Sequence, residues 1–334
     1  MSMDSPMLIE GLDEPAAVVA ANRIVAANAA ARRLLGANIT GAPVGQAIAH
    51  PGAVEALERG VGVGEGVELT GLGGSRRNWL MRAAALGDGS WLIRFLDHSE
   101  ARAAERMRVD FVANASHELR TPLATLIGYA ETLRDHDNAI DGETRDRFLG
   151  VVHDEARRMQ RVVEDLISLS RIEAEKFSPP TDAVALRPLI DQALDSAGLI
   201  ARERRSELIG EVPDALPDIA GDRGEIVQLL DNLVTNALRY GEPGTPVRVT
   251  ATVDGGMVRL SVVDQGEGIP AEHIPRVTER FYRVDTSRSR AIGGTGLGLS
   301  IVKHIVERHR GRLKIVSEPG HGTTVTVLLP VATP

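Results

Sequence analysis

Residues 99–177 contain two long helical stretches, and the second carries the pattern that most restricts the fold. Phe148, Val152, Glu155, Met159, Val162, Leu166 and Leu169 follow one another at alternating spacings of four and three. Six of the seven are apolar, which is the seam of a coiled coil. Two such amphipathic helices cannot bury their stripes alone. A helical hairpin that pairs with a second copy of itself, as a four-helix bundle, is the expected solution. The polar stretch 134–143 supplies the turn.

The segments on either side differ in texture. Residues 8–98 hold short apolar runs (16–20, 24–26, 67–72, 78–86 and 91–96) with helical stretches after Asn28 and around 53–59, which reads as a small α+β domain with an antiparallel sheet. Ser178-Pro179-Pro180 breaks the second long helix and reads as a linker over residues 178–183. From residue 184 to 334 helices at 187–205, 224–240 and 298–309 mix with strands. The strands include a hairpin of 247–253 and 257–264 around Asp254-Gly255-Gly256, followed by 312–317 and 323–329.

The chain has 334 residues and a net charge of −8, which argues against a nucleic-acid partner, since a phosphate-tracking surface needs a cationic excess. It has no cysteine, so disulfides, Cys-ligated zinc and a cysteine nucleophile are excluded. Aromatic residues are only 3%, which leaves Leu, Ile, Val and Ala to build the cores. No stretch reaches the roughly 18 to 20 apolar residues of a transmembrane segment. The best run, 15–35, is interrupted by Asn22, Arg23, Asn28, Arg32 and Arg33. With no basic-then-apolar leader at the N-terminus, a cytoplasmic location is expected.

Five segments carry chemistry. The first is Asn114-Ala-Ser-His117-Glu118-Leu-Arg-Thr121-Pro122 on the first long helix. A phosphoacceptor imidazole needs one nitrogen free and a group to take the proton of the other. Glu118 can serve as that base. Pro122 removes a helical N–H, frees the Glu118 carbonyl and favours a kink. A zinc motif of the H-E-x-x-H kind fails because position 121 is Thr. By itself the histidine reads as a solvated surface residue. The second segment places Asn232 and Asn236 on one helix face, where two amides suit Mg²⁺ or phosphate, or form a plain polar face.

The third segment, Asp264-Gln-Gly266-Glu-Gly268, ends a strand with a carboxylate able to accept from an exocyclic amine, although a turn would look the same. The fourth, Gly293-Gly294-Thr295-Gly296-Leu297-Gly298, runs into a helix and suits a phosphate-cradling loop. It fits neither the Rossmann nor the P-loop spacing. Between these two, residues 271–292 carry Arg276, Arg280, Arg283, Arg288 and Arg290, as a cationic lid or a surface loop would.

Taken in order, FVANASHELRTPL, DNLVTNALRYG, DQGEGIP, ERFYRVD and GGTGLGLSIVK resemble the H, N, G1, F and G2 boxes of bacterial sensor histidine kinases. The resemblance covers roughly the last two-thirds of the chain. It implies a dimerising helical-hairpin domain at 99–177 and an α/β sandwich ATPase of the Hsp90/gyrase type at 184–334. It further implies autophosphorylation from ATP and Mg²⁺ with phosphoryl transfer to an aspartate of a response regulator. His117 corresponds to the phosphoacceptor, Glu118 to its base, and Thr121 to the residue that positions water for dephosphorylation. Asn236 corresponds to the metal ligand and Asn232 to its companion. Arg239 and Tyr240 fall near phosphates and adenine, and Asp264 reads the adenine. Gly266, Gly268, Gly294, Thr295, Gly296, Leu297 and Gly298 belong to the nucleotide loops, and Phe281 anchors the lid.

Residues 8–98, after a tail of 1–7, resemble a PAS sensor domain in AVVAANRIVAANAAARRLLG and in the closing Asp97-His-Ser-Glu100, with Ala21-Asn22 in place of the usual Asp-Gly turn. The missing cysteine rules out an adduct-forming flavin sensor, and His50-Pro51 reads as a helix start more simply than as a haem ligand. The order of domains resembles the phosphate-regulon sensor kinases, which normally carry membrane helices first.

Overall fold

The computed structural model describes residues 9–58, 66–86, 89–135, 140–175, 177–284 and 294–332. It divides into two compact units, Met1–Phe111 and Val112–Pro334.

The first unit is built on a five-stranded antiparallel sheet, β1 (Ala16–Ala20), β2 (Arg23–Ala27), β3 (Val67–Thr70), β4 (Asn78–Ala85) and β5 (Ser90–Asp97), in the order β2-β1-β5-β4-β3. Three short helices, α1 (Ala29–Leu35), α2 (Val44–Ile48) and α3 (Pro51–Glu58), lie between β2 and β3 in the chain. The β1–β2 turn is Ala21-Asn22, both at positive φ (47° and 60°), the mirror-image turn whose twist matches a hairpin. An alanine in that region costs about 1–2 kcal/mol, so the turn is maintained by its surroundings. Ile24, Leu69, Leu72, Met81, Ile93 and Phe95 form the main core, and α3 begins at Pro51, directly after His50. Asn28 is buried and fully satisfied. Its side chain accepts from the amides of Ala16 (3.0 Å) and Ala31 (2.8 Å) and donates to the carbonyls of Leu12 (3.0 Å) and Glu14 (2.8 Å). It thereby caps α1 and ties it to β1.

The expected long helices are α4 (Ser99–Asp135) and α5 (Gly142–Ala174). Asp141 caps α5 by accepting from the Thr144 amide at 2.8 Å. Tyr129 of α4 meets Phe148 of α5 edge-on, ring centroids 4.9 Å apart. On the seam of α5, Val162 and Leu169 are buried within the chain, as is Ile172 beyond it. Leu123, Ile127, Leu149, Val163 and Ile167 remain exposed.

The last part is an α/β sandwich. Its sheet runs β11 (Arg312–Glu318), β12 (Gly322–Pro330), β10 (Met257–Asp264), β9 (Val247–Asp254), β7 (Leu208–Glu211), antiparallel except for the parallel β7–β9 pair. Helices α6 (Leu186–Arg204), α7 (Arg223–Tyr240) and α8 (Gly298–Arg308) supply the apolar layer, and a two-stranded pair, β6 (Ala183–Val184) with β8 (Ile219–Ala220), lies beside it. The β9–β10 hairpin turns on Gly255-Gly256, both at positive φ as the type I′ turn requires. Strands β6, β7 and β8 were not expected from the sequence, because four residues or fewer leave no periodicity to detect.

Candidate functional site

Alternation along β10 buries Val258, Leu260 and Val262, and the next inward position is Asp264. A carboxylate thus ends an otherwise apolar stripe. Its Oδ1 accepts from the amides of Gly266 (2.9 Å) and Thr323 (3.2 Å). Burial pushes the Asp264 carboxyl above its ordinary value, and those two amides only partly offset this. Gly268 has φ +71°, and a Cβ there would lie 2.1 Å from the Glu318 carbonyl oxygen, so only glycine closes this turn.

Helix α7 begins with Asp222, whose side chain accepts from the Glu225 amide at 3.0 Å, and it buries Ile226, Leu229, Leu230, Leu233 and Val234. Asn232 and Asn236 flank that stripe and face the first turn of α8. A Cβ on Gly298 would lie 2.8 Å from Asn232 Oδ1 and 3.4 Å from Asn236 Nδ2. Arg204 of α6 donates to the carbonyls of Arg239 (3.0 Å) and Gly241 (2.7 Å), satisfying the open C-terminus of α7.

These elements enclose a cavity of about 600 Å³. Of the expected site residues, Asn232, Asn236, Arg239, Tyr240, Asp264, Gly268, Gly294, Thr295, Gly296 and Gly298 line it. Three stand behind it. Gly266 supports Asp264, Leu297 is buried in the core, and Phe281 donates its amide to the Gly296 carbonyl at 2.9 Å. Gly293 and residues 285–292 of the expected cationic segment lie outside the described residues. The described part of that segment is fixed by Tyr282, whose hydroxyl meets His273 Nδ1 at 2.6 Å under the Arg276 guanidinium.

His117 is exposed on α4. The helix continues through Pro122, and the Thr121 hydroxyl donates to the His117 carbonyl at 3.3 Å. Glu118 is engaged by two guanidiniums, Arg283 at 2.8 Å and Arg158 of α5 at 3.3 Å. Sequence reasoning missed this pairing. It also missed Arg161, Glu164 and Asp165 of α5, Asp231 of α7, and Tyr282, all of which line the cavity, as does Arg283 of the expected cationic segment. Asp231, next to Asn232, had a signal in its position. The α5 residues had none.

Among the described residues no cluster of three or more His, Asp or Glu is placed to hold a metal. The oxygen donors present, the Asn232 and Asn236 amides beside a helix N-terminus, fit Mg²⁺, which takes few protein ligands and keeps waters and substrate phosphates. No helix among the described residues is long and apolar enough to cross a membrane.

The profile of the family described as "His Kinase A (phospho-acceptor) domain" matches residues 107–175. That of "Histidine kinase-, DNA gyrase B-, and HSP90-like ATPase" matches 221–333. The phosphate regulon sensor protein PhoR of Pseudomonas aeruginosa is 36% identical over 90% of this chain and 68% of its own length. The sensor-like histidine kinase SenX3 of Mycolicibacterium smegmatis is 38% identical over 70% of this chain and 60% of its own length. Among solved structures, full-length ShkA in complex with AMPPNP superposes with a TM-score of 0.50 at 30% identity, covering 67% of this chain and 46% of that one. The histidine kinase ThkA, solved with the response regulator TrrA, shares the fold at a TM-score of 0.54 and 21% identity, over 100% of this chain and 99% of that one. A phosphoacceptor-type helical hairpin followed by an ATPase sandwich with its glycine loop, in a chain similar to PhoR over most of its length, places this protein in the family of sensor histidine kinases of two-component systems.

Proposed function

We propose that the cavity binds ATP with Mg²⁺ and that His117 receives the γ-phosphoryl group and passes it to an aspartate of a response regulator. The observation that carries this is the convergence of Asn232, Asn236, Asp264 and the glycine loop on one cavity. Asp264, an acceptor at the end of a dry stripe, reads the exocyclic amine of adenine. The amides at the start of α8 face the phosphates. Asn236, with Asn232 beside it, supplies the protein's oxygen to Mg²⁺, and the ion, once bound, neutralises charge on the transferring phosphoryl group. Glu118 takes the Nδ1 proton of His117, leaving Nε2 to attack in line. Thr121 orients water when the partner is dephosphorylated.

The exposed apolar residues of α4 and α5 support a homodimer, with a second hairpin completing the bundle. Residues 8–98 serve as a PAS-like sensor, a reading supported by the β2-β1-β5-β4-β3 order with helices between β2 and β3. Residues 99–177 carry the phosphotransfer function, 178–183 the linker and 184–334 the ATPase. Similarity to PhoR supports a phosphate-linked signal. Incubation with γ-³²P-ATP tests the reading. The wild type should acquire an acid-labile, base-stable label, and His117→Gln should acquire none while binding nucleotide as before. Retained label in His117→Gln would refute the phosphoacceptor assignment.

A further inference from the structure

Two carboxylates from the helical hairpin reach into the ATPase sandwich. Thr295 Oγ1, in the glycine loop, donates to Asp165 Oδ2 of α5 at 2.9 Å, and the same oxygen accepts from the Leu297 amide at 3.2 Å. Thr295 is 9% exposed, so this bond is shielded from water. On the other side of the contact Arg283 holds Glu118, with the Arg283 side chain 4% exposed. Ser168–Gln228 and Glu173–Arg280 continue the contact along α5, and Glu175–Arg308 extends it at the C-cap of that helix. Asp165, Ser168 and Glu175 follow the helical spacing of one face.

A threonine hydroxyl has one proton to give. A phosphate oxygen seated at the glycine loop would compete for the proton that Asp165 now accepts, and two anions cannot share it without strong repulsion in a partly desolvated cavity.

We propose that Asp165 is a built-in competitor of the nucleotide phosphates: it occupies the Thr295 hydroxyl when the sandwich is docked on α5, so that nucleotide binding and this docking are mutually exclusive. The inference rests on the ATP reading of the cavity and adds to it. Filling the site is then also the step that releases the sandwich, and with it Arg283 from Glu118. The base beside His117 then keeps only Arg158 of its own hairpin as a cationic partner, and it loses Arg283 only when a phosphoryl donor is in place.

The absence of native cysteine permits a direct test. Glu173 and His304, 3.5 Å apart across the docked contact and outside the cavity lining, can be replaced as Glu173→Cys with His304→Cys and bridged by a short bis-maleimide. Bridging should be efficient without nucleotide and several-fold slower with AMPPNP. In the Asp165→Ala background it should be slow from the start. Asp165→Ala should bind AMPPNP about five- to tenfold more tightly, because the competing state no longer taxes the affinity. Asp165→Asn, which is isosteric and uncharged, should fall between. Binding with unchanged bridging, or an Asp165→Ala affinity equal to wild type, would overturn this proposal alone. Failure of the wild type to bind AMPPNP would overturn the ATP reading and this proposal together.

Discussion

Phe281 and Gly296 are locked to each other through their backbones. The amide of Phe281 donates to the carbonyl of Gly296 at 2.9 Å, and both residues have positive φ, +61° and +74°. A left-handed phenylalanine is rare and persists only where its neighbours determine it. The segment around Phe281 and the glycine loop are therefore joined as one piece of backbone.

Gly296→Ala should break that piece. Its Cβ would lie 2.9 Å from both the Phe281 carbonyl carbon and its Cα, in a conformation that alanine resists. The cost should be about 1–3 kcal/mol of strain, read as a lower melting temperature. Nucleotide affinity should fall about tenfold or more, since the loop must shift. Gly244→Ala, at φ +84° with open space around it, controls for strain without the clash.

Asp264→Asn should trade binding for stability. Because burial raises its carboxyl in the folded chain, the native state holds that proton more tightly than the unfolded chain does. The contribution of Asp264 to stability therefore grows as pH falls through the raised value, and at neutral pH the ionised form is a cost. An asparagine keeps an acceptor for the Gly266 and Thr323 amides without the charge. The melting temperature at pH 7.5 should rise, while nucleotide affinity falls about 10- to 100-fold with the loss of a charge-assisted bond to the exocyclic amine. Thermal melts and nucleotide titrations on the same sample check both.

His309 should make the ATPase sandwich sensitive to mild acid. Its Nε2 accepts from the Asp222 amide at 3.0 Å, and Nδ1–H meets the Ile305 carbonyl at 2.8 Å, so the ring must be neutral. Burial lowers its proton affinity. A depressed value means stability that is complete above the unfolded value of about 6.5 and is lost as pH falls below it. Urea titrations at pH 7.5 and 5.5 should show the loss, and His309→Gln should flatten the difference.

Arg308→Ala should destabilise the chain by about 3–5 kcal/mol, the usual cost of orphaning a buried charge. Arg308 is 7% exposed and joins Glu225, 9% exposed, at 2.5 Å, with Glu175 on its other side. Adding Glu225→Gln to Arg308→Ala should recover a substantial part of the loss. An additive double mutant, measured by urea unfolding, would refute the coupling.

Much of the site was readable before the structure because it is written in short contiguous runs. Asn232 and Asn236 share a helix face by spacing alone, and Asp264 follows three alternating apolar residues. The glycines at 294, 296 and 298 announce a loop meeting a helix. The partners of Glu118 were not readable. Arg158 and Arg283 lie 40 and 165 residues away, and no local periodicity records which face of α5 the sandwich meets. Asp165 was hidden for the same reason, since on a helix surface it looks like any solvated acid. Leu297 and Phe281 sat inside the recognised motifs, yet one fills the core and the other shapes the backbone behind the cavity. A motif groups residues by sequence and does not sort lining from support. The five residues of α2 and the pairs in β6 and β8 are too short to show a period at all.

The sandwich leaves β11 at the margin of its sheet, with its outer row of backbone groups unmatched by another strand of that sheet among the described residues. Such a margin invites a neighbouring molecule to add a strand, and the earliest sign of that is sticking at high concentration. Along β11 the outward positions are Arg312, Lys314, Val316 and Glu318. Three of the four carry charge, and an approaching copy would have to desolvate each of them. Val316, 53% exposed, is the one gap in that guard. An enzyme meant to meet its own copy through helices is thereby kept from meeting it through strands.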